Sequence, residues 1–543
     1  MARSKPKSKT VGSLVCRTRA LPRSSRRAPA ALVVTMSLCC TAVASAGLPA
    51  SATSKGSRLA AAARSRPLVT NHITGSIAPP GLGDLLTYDY DNSRSGDDPV
   101  DPRIASLSSN PAWDDNLDGA DYGQPLVYDG TVYVATENDT VYALAAKSGA
   151  VRWSVHVGTP VSDSVLDSAP TLNSGCGDID PLGITGTPVI DPVRDELFAA
   201  EETETAGGND WERVQHWLVA VSLSTHRELW HREVDPPHPN TAATYYIAAE
   251  QQRPALTLFD GRLYVPFGGL NGDCGQYHGY VEELAEPGTG ALGTYQVPTQ
   301  REGAIWATSG AMVSPQGDLY VATGNGSSDN PADFDEGDSV VELSPSLQRL
   351  GVWAPSDWLD LNEQDGDLGS AGPVQVPGTS LLFVAGKPAP DGSFGSLVRE
   401  GHLGGVGRGG YTFPLCPSGG NPPGVYGADA SDILGSGQSA RIFIYAACGS
   451  GTEAVEVTPS PPAFHVVWQP SQGTPNGPPI VAGGLVWALD WNSNELYGMS
   501  PANGQVAVTR ATDSLNHFAT PAAGDGILLV PTSNGVEAFR AVG

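Results

Sequence analysis

The side chains best suited to bind a ligand stand at the starts of short apolar runs that recur along this sequence of 543 residues. They combine aromatic faces, hydrogen-bonding groups, one fixed cation and one titratable imidazole, which suits a polar organic ligand or a sugar. If the runs are the inner strands of a radial array, these side chains line one mouth of its axis. The alternative is a funnel that holds only ordered water. The set is Tyr122, Gln124, Thr185, Thr187, Arg253, Trp306, Ser370, Tyr426, Asn476 and His517.

Other reactive patterns are absent or weaker. The sequence has no serine nucleophile elbow, phosphate-binding loop, HExxH or clustered metal motif, which argues against a hydrolase or a nucleotide enzyme. We interpret His402 and His517 as hydrogen-bonded structural groups rather than acid–base catalysts. The acidic loop at residues 329–339 lacks the DxDxDG order of an EF-hand and is interpreted as a solvated turn.

A repeat must position these side chains. Residues 129–153, DGTVYVATENDTVYALAAKSGAVRW, predict three short strands because apolar residues alternate with period 2 between turn residues. Asp129-Gly130 and Asn138-Asp139 suit two-residue hairpin turns. Such a unit cannot bury its own apolar faces, and degraded copies of it follow, so we expect stacking around an axis.

The spacing of the copies predicts an all-β fold, an eight-bladed β-propeller of four-stranded antiparallel blades. The lead-in strands start about 40 to 66 residues apart, as expected for such blades with some long loops. The last copy ends after its third strand, and the segment around Trp113 supplies a fourth, so we expect the two ends of the chain to share one blade. Tandem β-sandwiches are disfavoured because no turn-rich linker divides the repeats.

Composition agrees with a large secreted β-protein. Only 16% of residues are charged, and the sequence contains 65 Gly and 45 Pro, which favours strands and turns. The formal net charge is -27. A surface of this charge repels phosphates and anionic lipid, so we expect no nucleic-acid partner.

The amino terminus predicts export. A basic region and an apolar run precede the small residues Ala44-Ser45-Ala46, so we expect a signal peptide at 1–46, a disordered leader at 47–82 and the propeller at 83–543. Arg26-Arg27 resembles a twin-arginine signal, although Pro29 departs from it, and ordinary secretion stays an alternative. An uncleaved anchor is a further alternative. The mature chain is expected to be extracytoplasmic, without an integral membrane span.

Cysteine usage fits an oxidising compartment. Removal of the signal would leave Cys176, Cys274, Cys416 and Cys448, which permit three pairings. We favour the sequential pairs, Cys176 with Cys274 and Cys416 with Cys448. Zinc is the weaker interpretation because no pair has a close CxxC-like spacing.

The unit at residues 129–153 resembles the repeat of pyrroloquinoline quinone (PQQ) propellers, the superfamily that includes quinoprotein alcohol dehydrogenases. The segment TYDYDNSRSG at residues 87–96 is similar to the opening segment of such proteins. The blade motif also occurs in non-enzymatic relatives, so it indicates the fold better than the activity.

A sharper match covers residues 305–330, IWATSGAMVSPQGDLYVATGNGSSDN. In the dehydrogenases that this stretch resembles, the residue matching Trp306 stacks on the quinone and the one matching Asn325 ligates its calcium, roles that suit an indole and an amide oxygen. The alternative is a Trp306 that fills the axis and a simple hairpin turn at residues 323–325.

The resemblance also shows departures. It places the catalytic aspartate near Asp365 or Asp367, and it places the calcium-ligating glutamate where Pro181 stands, with only Asp180 close enough to substitute. The adjacent cysteine pair of those enzymes is missing from GQPLVYDGTVYV, residues 123–134. We therefore expect a degenerate or altered cofactor site.

Three functions follow, in this order. The first is a secreted propeller that binds a small polar ligand or a partner without redox chemistry. The second is an alcohol or sugar dehydrogenase dependent on PQQ and calcium. The third is an extracytoplasmic assembly scaffold with a protein partner.

Overall fold

The computed structural model describes residues 83–542, apart from residues 99, 101–102, 170–171, 173–174, 205–210, 238–246, 388–392, 417–423 and 470–474. The expected signal peptide and leader lie outside the described residues and stay predictions. No described helix is both long and apolar enough to cross a membrane.

Eight antiparallel sheets follow one another along the chain, and each forms one blade of a ring. Strands are given from the inner to the outer edge of each blade. Blade 1 contains Leu126–Tyr128, Thr131–Thr136, Thr140–Ala145 and Val151–His156; blade 2 contains Val189–Asp191, Glu196–Glu204, Val214–Ser222 and Arg227–Glu233; blade 3 contains Thr257–Phe259, Arg262–Gly269, Tyr280–Ala285 and Gly293–Gln296; blade 4 contains Met312–Val313, Leu319–Ala322, Val340–Leu343 and Arg349–Ala354.

The remaining blades have the same order. Blade 5 contains Val374–Gln375, Leu381–Ala385, Phe394–Arg399 and Gly410–Pro414; blade 6 contains Ala430–Leu434, Arg441–Ala446, Glu453–Pro459 and Pro462–Trp468; blade 7 contains Ile480–Ala482, Leu485–Asp490, Glu495–Met499 and Val506–Ala511; blade 8 contains Ala522–Gly524, Ile527–Thr532, Gly535–Val542 and Trp113–Asn116. The prediction of eight four-stranded blades is confirmed.

Short elements complete the described fold. The additional strands Asp97–Asp98, Ser106–Leu107, Glu250–Gln251 and Gly405–Val406 each pair with a blade strand. The helices are Asp163–Leu166 and Trp358–Glu363, with 3-10 turns at Trp211–Arg213, Ile247–Ala249, Leu368–Ser370 and Gly437–Ser439.

The hairpins follow from their turn residues. Asp129 and Gly130, between the first two strands of blade 1, have φ of 47° and 67°. The Asp-Gly pairs at residues 260–261 and 525–526 occupy the same place in blades 3 and 8, also with positive φ at both residues. These are the angles that a two-residue hairpin of this hand requires.

Burial decreases from the inner to the outer edge of a blade. In blade 1 the strand Thr131–Thr136 is buried throughout, whereas Val151–His156 is exposed or half-buried. Apolar side chains of blades 8, 1 and 2 share one core cluster, which includes Leu529, Val132 and Leu197. Neighbouring blades therefore bury one another's faces, as the repeat predicted.

The segment at residues 85–98 runs through the channel and hydrogen-bonds to the inner strand of each blade. Backbone bonds join it to residues 127, 190, 313, 375, 431 and 481, in blades 1, 2, 4, 5, 6 and 7. The Asn92 amide donates to the Leu258 carbonyl of blade 3 at 2.8 Å, and the Ala523 amide of blade 8 donates to the Tyr90 hydroxyl at 3.1 Å. The inner strand edges of the ring thus find partners in one short stretch of chain.

A buried arginine fixes the turn of this axial segment. The Arg94 guanidinium is 1% exposed and donates to the Tyr88 carbonyl at 2.9 Å and to the Thr257 hydroxyl at 2.7 Å. Burial raises the pKa of the nearby Asp89 carboxyl, and the positive charge of Arg94 opposes that rise.

The two ends of the chain close the ring in blade 8. Trp113–Asn116 pairs antiparallel with the last strand, and Trp113 lies opposite Ala538. The Trp113 indole is 8% exposed, and its Nε1 donates to the Ala146 carbonyl of blade 1 at 2.9 Å. The predicted shared blade is confirmed.

Both favoured disulfides are present. Cys176, between blades 1 and 2, is bonded to Cys274 in a loop of blade 3, and Cys416, after blade 5, is bonded to Cys448 in blade 6. Each bond therefore links segments of different blades.

We predict that Trp113→Ala lowers the free energy of unfolding by about 3 to 5 kcal/mol, because a large side chain is lost from the contact between blades 8 and 1. Trp113→Phe keeps most of the buried area and loses the hydrogen bond, so its loss is expected to be smaller. Denaturant unfolding followed by circular dichroism measures both. Equal stability of wild type and Trp113→Ala would contradict a closing role for this strand.

Candidate functional site

The segments that lead into the inner strands bring the predicted side chains to one mouth of the channel. Five of them, with Thr308 and Phe518, line a shallow recess whose empty volume, open solvent included, is about 270 Å³. Tyr88 of the axial segment closes it from below, since its hydroxyl contacts Thr308 at 3.2 Å and Thr520 at 2.8 Å. The lining residues are Tyr122, Thr185, Thr187, Arg253, Thr308, His517 and Phe518.

Phe518 is the centre of an aromatic cluster at this mouth. Its ring stacks on Tyr426 with centroids 5.6 Å apart and lies tilted 6.1 Å from Trp306 and edge-on 5.6 Å from Trp491. Its φ is 62°, a left-handed conformation that is uncommon for a bulky residue and is often found at functional sites. The sequence reasoning missed both Phe518 and Trp491.

The carboxylate of Asp178, in a loop, contacts both Arg253 and His517 at the mouth. The Asp178 Oδ1 atom lies 3.5 Å from Arg253 Nη2, and its Oδ2 lies 3.2 Å from His517 Nε2. Asp178 follows Cys176, so the disulfide to Cys274 ties its loop to blade 3. Burial and the Arg253 guanidinium lower the pKa of His517 to about 4, against the opposing effect of Asp178. At neutral pH His517 is therefore a neutral hydrogen-bonding group.

A second charged group lies against the Trp306 indole. The indole Nε1 donates to Asp367 Oδ2 at 3.0 Å. Lys387 Nζ lies 3.1 Å from the same oxygen and 2.7 Å from Asp365 Oδ1, and Asn325 Nδ2 donates to Asp365 at 3.0 Å. Burial opposes the charge on Lys387, but the two carboxylates prevail and raise its pKa. Burial raises the pKa of Asp367 in spite of Lys387.

Glycine at position 324 is required for this arrangement. A Cβ atom there would stand 2.3 Å from Asp367 Oδ1 and 3.4 Å from the Trp306 Nε1 atom. The TGN turn therefore has two roles. It carries Asn325, and its glycine leaves room for the Asp367 carboxylate beside the Trp306 indole.

The other predicted residues have different surroundings. Gln124 is buried and ties the axial segment to blade 8, accepting from the Asp89 amide and donating to the Pro521 carbonyl, both at 2.8 Å. Ser370 donates to the Val425 carbonyl at 2.6 Å. Asn476 is buried, and its Oδ1 has no hydrogen-bond partner. Asp180 accepts from the Asp163 amide at 3.1 Å, and no described hydrogen bond or ion pair joins it to Asn325.

Glu137 is a further group that the sequence reasoning missed. It lies in the turn between two strands of blade 1 and is 2% exposed. Its Oε2 accepts from the Gly183 amide at 2.8 Å and from the Thr185 hydroxyl at 3.2 Å. Burial raises its pKa to about 8. Glu137 therefore orients Thr185 at the cavity wall.

Comparisons with known proteins agree with this architecture. A family model of PQQ-type repeats, described as outer membrane protein assembly factor BamB, matches residues 104–265. A polyvinylalcohol dehydrogenase of Sphingopyxis sp. is 23% identical over 279 residues, 47% of this chain and 36% of its own length. The match thus spans about a third of that relative.

Solved structures show the same fold. A quinohemoprotein alcohol dehydrogenase of Pseudomonas putida HK5 has a TM-score of 0.58 and 14% identity, covering 85% of this chain and 80% of its own. The one of Comamonas testosteroni has a TM-score of 0.57 and 15% identity, covering 86% and 81%. Residues 104–265 match the PQQ-type repeat. The predicted resemblance is confirmed.

The mouth of the propeller has side chains that suit a planar anionic cofactor. Trp306 provides a flat face, and two cations lie near it, with Arg253 Cζ 5.9 Å and Lys387 Nζ 5.5 Å from its ring centroid. The oxygen atoms at this mouth suit a metal ion only in part. Shielded Oδ1 atoms of Asn325 and Asp367 lack hydrogen-bond partners and suit a hard cation, but the Lys387 ammonium already lies between Asp365 and Asp367.

We predict that His517 makes the propeller less stable as the pH falls. Its pKa is about 4 in the fold and ~6.5 when unfolded, so between these values the unfolded chain binds the additional proton and is favoured. Relative to His517→Gln, wild type should lose up to about 3 kcal/mol between pH 6.5 and 4.

Denaturant unfolding at several pH values measures this difference. His465→Gln, at an exposed position in blade 6, is the control and should follow wild type. A parallel pH dependence in His517→Gln and wild type would show that His517 is not held neutral.

Proposed function

We propose that this protein binds a small, planar, anionic organic ligand of the PQQ class at its axial mouth. The observation that carries the proposal is the Trp306 face with cationic groups near it, Arg253 at 5.9 Å and Lys387 at 5.5 Å from the ring centroid. An indole stacks on a flat ring, and the two cations, which lie over the Trp306 ring and must move aside for a stacked ligand, suit carboxylates of that ligand. The tyrosines and threonines around the cavity add hydrogen-bonding groups.

Ligand binding requires two exchanges at the mouth. Phe518 lies 6.1 Å from Trp306, so its ring must turn to admit a second flat ring there. Asp178 neutralises Arg253 at 3.5 Å, so a ligand carboxylate must take over that contact. The ligand thus replaces an internal carboxylate with its own, which favours anionic ligands over neutral ones.

Binding without redox turnover is the first interpretation of this site. Lys387 contacts both candidate bases, Asp365 and Asp367, so neither carboxylate is free to approach a substrate hydroxyl while these contacts last. The missing adjacent cysteines and the proline at position 181 support the same view of a degenerate cofactor site.

We predict that purified protein binds PQQ in an absorbance and calorimetric titration, and that changes at the two charges have opposite effects. Arg253→Gln removes a cation and should weaken binding about tenfold, equivalent to about 1.4 kcal/mol. Asp178→Asn removes the competing carboxylate and should strengthen binding.

Two tryptophan variants provide a matched pair for this titration. Trp306→Phe should weaken PQQ binding, because a smaller face remains. Trp217→Phe, on an outer strand of blade 2, should leave it unchanged. Absence of PQQ binding in wild type, or equal affinity in Trp306→Phe, would remove the proposal.

A second candidate is a PQQ- and calcium-dependent dehydrogenase of alcohols or sugars. The observation that favours it is the approach of Asp367 to Trp306 at 3.0 Å, beside Asn325 and Asp365. Bound PQQ would supply a two-electron acceptor, polarised by calcium at Asn325. Asp365 or Asp367 would take the alcohol proton once Lys387 turns away. Similarity to a polyvinylalcohol dehydrogenase makes secondary alcohols the first substrates to test.

If this candidate is correct, protein reconstituted with PQQ and Ca²⁺ should reduce a dye in the presence of secondary alcohols, poly(vinyl alcohol) or aldoses. Asp367→Asn should then lose at least about 100-fold in rate, as for removal of a general base, while still binding PQQ. If the protein binds PQQ but oxidises no substrate of this panel, the dehydrogenase candidate is rejected and only the binding function remains.

We also propose that the protein acts outside the cytoplasm. Two disulfides support this location, since they persist in oxidising compartments. The match to a model described as an outer membrane protein assembly factor supports the third hypothesis, an assembly scaffold with a protein partner. Under this hypothesis a protein, and not a small molecule, would bind the propeller.

A further inference from the structure

Three carboxylates meet where the ring closes. Asp114 of the first chain end lies directly opposite Glu537 of the last strand. Asp513, in the loop that leads from blade 7 to blade 8, completes the group. One carboxylate oxygen from each of the three residues lies within 4.8 Å of the other two. We call Asp114, Asp513 and Glu537 the seam cluster.

The charges of the seam cluster are not balanced by neighbouring cations. No ion pair among the described residues joins any of the three to a lysine, arginine or histidine. Like charges directly opposite one another on paired strands destabilise a sheet. The strand pair that closes the ring therefore carries a repulsive contact at the point where closure matters most.

Glu537 supplies the independent sign of a ligand. It is 2% exposed, and its Oε2 atom has no hydrogen-bond partner, whereas Oε1 accepts from the Asp513 amide. A buried carboxylate oxygen without a donor is costly. Asp114 and Asp513 are exposed, so the cluster joins a buried carboxylate to two that face solvent, where a bound ion would keep water ligands.

The structure thus points to a calcium ion, and we propose that the seam cluster binds one Ca²⁺ that locks the ring closed. Calcium takes carboxylate oxygens in flexible geometry and accepts water at its open positions, whereas Mg²⁺ demands a tighter octahedron. The bound ion would join the chain's beginning, its last strand and the loop before blade 8. This site is separate from Asn325 at the axial mouth and does not depend on the proposed cofactor.

The affinity expected of such a site agrees with the location proposed above. An extracytoplasmic location would expose the site to millimolar calcium, and modules of that kind bind with dissociation constants on the order of 10⁻⁴ to 10⁻³ M.

The test combines calorimetric titration of the full chain with CaCl₂ and thermal unfolding in CaCl₂, MgCl₂ or EDTA at constant ionic strength. Wild type should bind one Ca²⁺ at the seam and unfold about 1 to 3 °C higher in 5 mM CaCl₂ than in EDTA. MgCl₂ should give a clearly smaller shift.

Asp513→Asn makes the test specific because its effect should change sign with the medium. In EDTA the variant should be as stable as wild type or more stable, since a repulsive charge is gone. In CaCl₂ it should be less stable than wild type and should lack the seam binding event. A merely solvated acidic face would not produce this reversal.

Two controls separate the seam from other acidic positions. Asp260→Asn makes the same chemical change in an exposed hairpin turn whose positive φ asparagine tolerates, and should behave as wild type. Asn325→Ala alters the axial mouth and should keep the seam event. Equal shifts in Ca²⁺ and Mg²⁺, or calcium binding by the Asn325→Ala protein that survives addition of Asp513→Asn, would overturn the proposal.

Discussion

The pairing of one axial segment with all eight blades is the interaction on which this propeller depends. In a ring of sheets, the inner strands turn a free edge toward the axis, and its amides and carbonyls need partners when water is excluded. Residues 85–98 supply those partners in chain order, from Val127 in blade 1 to Val481 in blade 7. Blade 8 joins through the Tyr90 hydroxyl. The blades therefore share a common anchor as well as their lateral contacts.

The same segment determines the site above it. Tyr88 forms the floor of the mouth through Thr308 and Thr520, and Gln124 holds the Asp89 backbone at 2.8 Å. On this floor the charges are already paired, Arg253 with Asp178 and Lys387 with two aspartates. A ligand at the mouth would have to replace these aspartates as the partners of Arg253 and Lys387. Its own acidic groups would then determine how selectively it binds.

The fold was predictable from sequence because the repeat is local. The alternation around Val132 and the Asp-Gly turns identify the blades one at a time, and a propeller is a sum of such units. The convergence of Tyr122, Arg253, Trp306 and His517 followed from their common place at blade starts. Residues in loops could not be placed in this way. Asp178, Lys387 and Phe518 reach the mouth through connections whose paths leave no periodic signal.

The axial segment shows a second limit of sequence reasoning. Aspartate and arginine are residue types that are usually exposed, yet Asp89 and Arg94 are buried in this segment. The backbone of this segment pairs with six inner strands, and Asn92 and Tyr90 reach the other two. These partners come together only after the ring has formed, so the local sequence gives no sign of them. A resemblance at residues 87–96 marked the segment as important without showing what it contacts.

The occupied channel also restricts which molecules can bind at the mouth. Because residues 85–98 occupy the channel and bond to the inner strand of every blade, a molecule could not be threaded along the axis of the propeller. A long polymer would therefore reach Trp306 only with a terminus or with a bend in its backbone, and anything released must leave by the route it came. The protein would then sample a chain molecule by repeated encounters and departures, not by sliding along it.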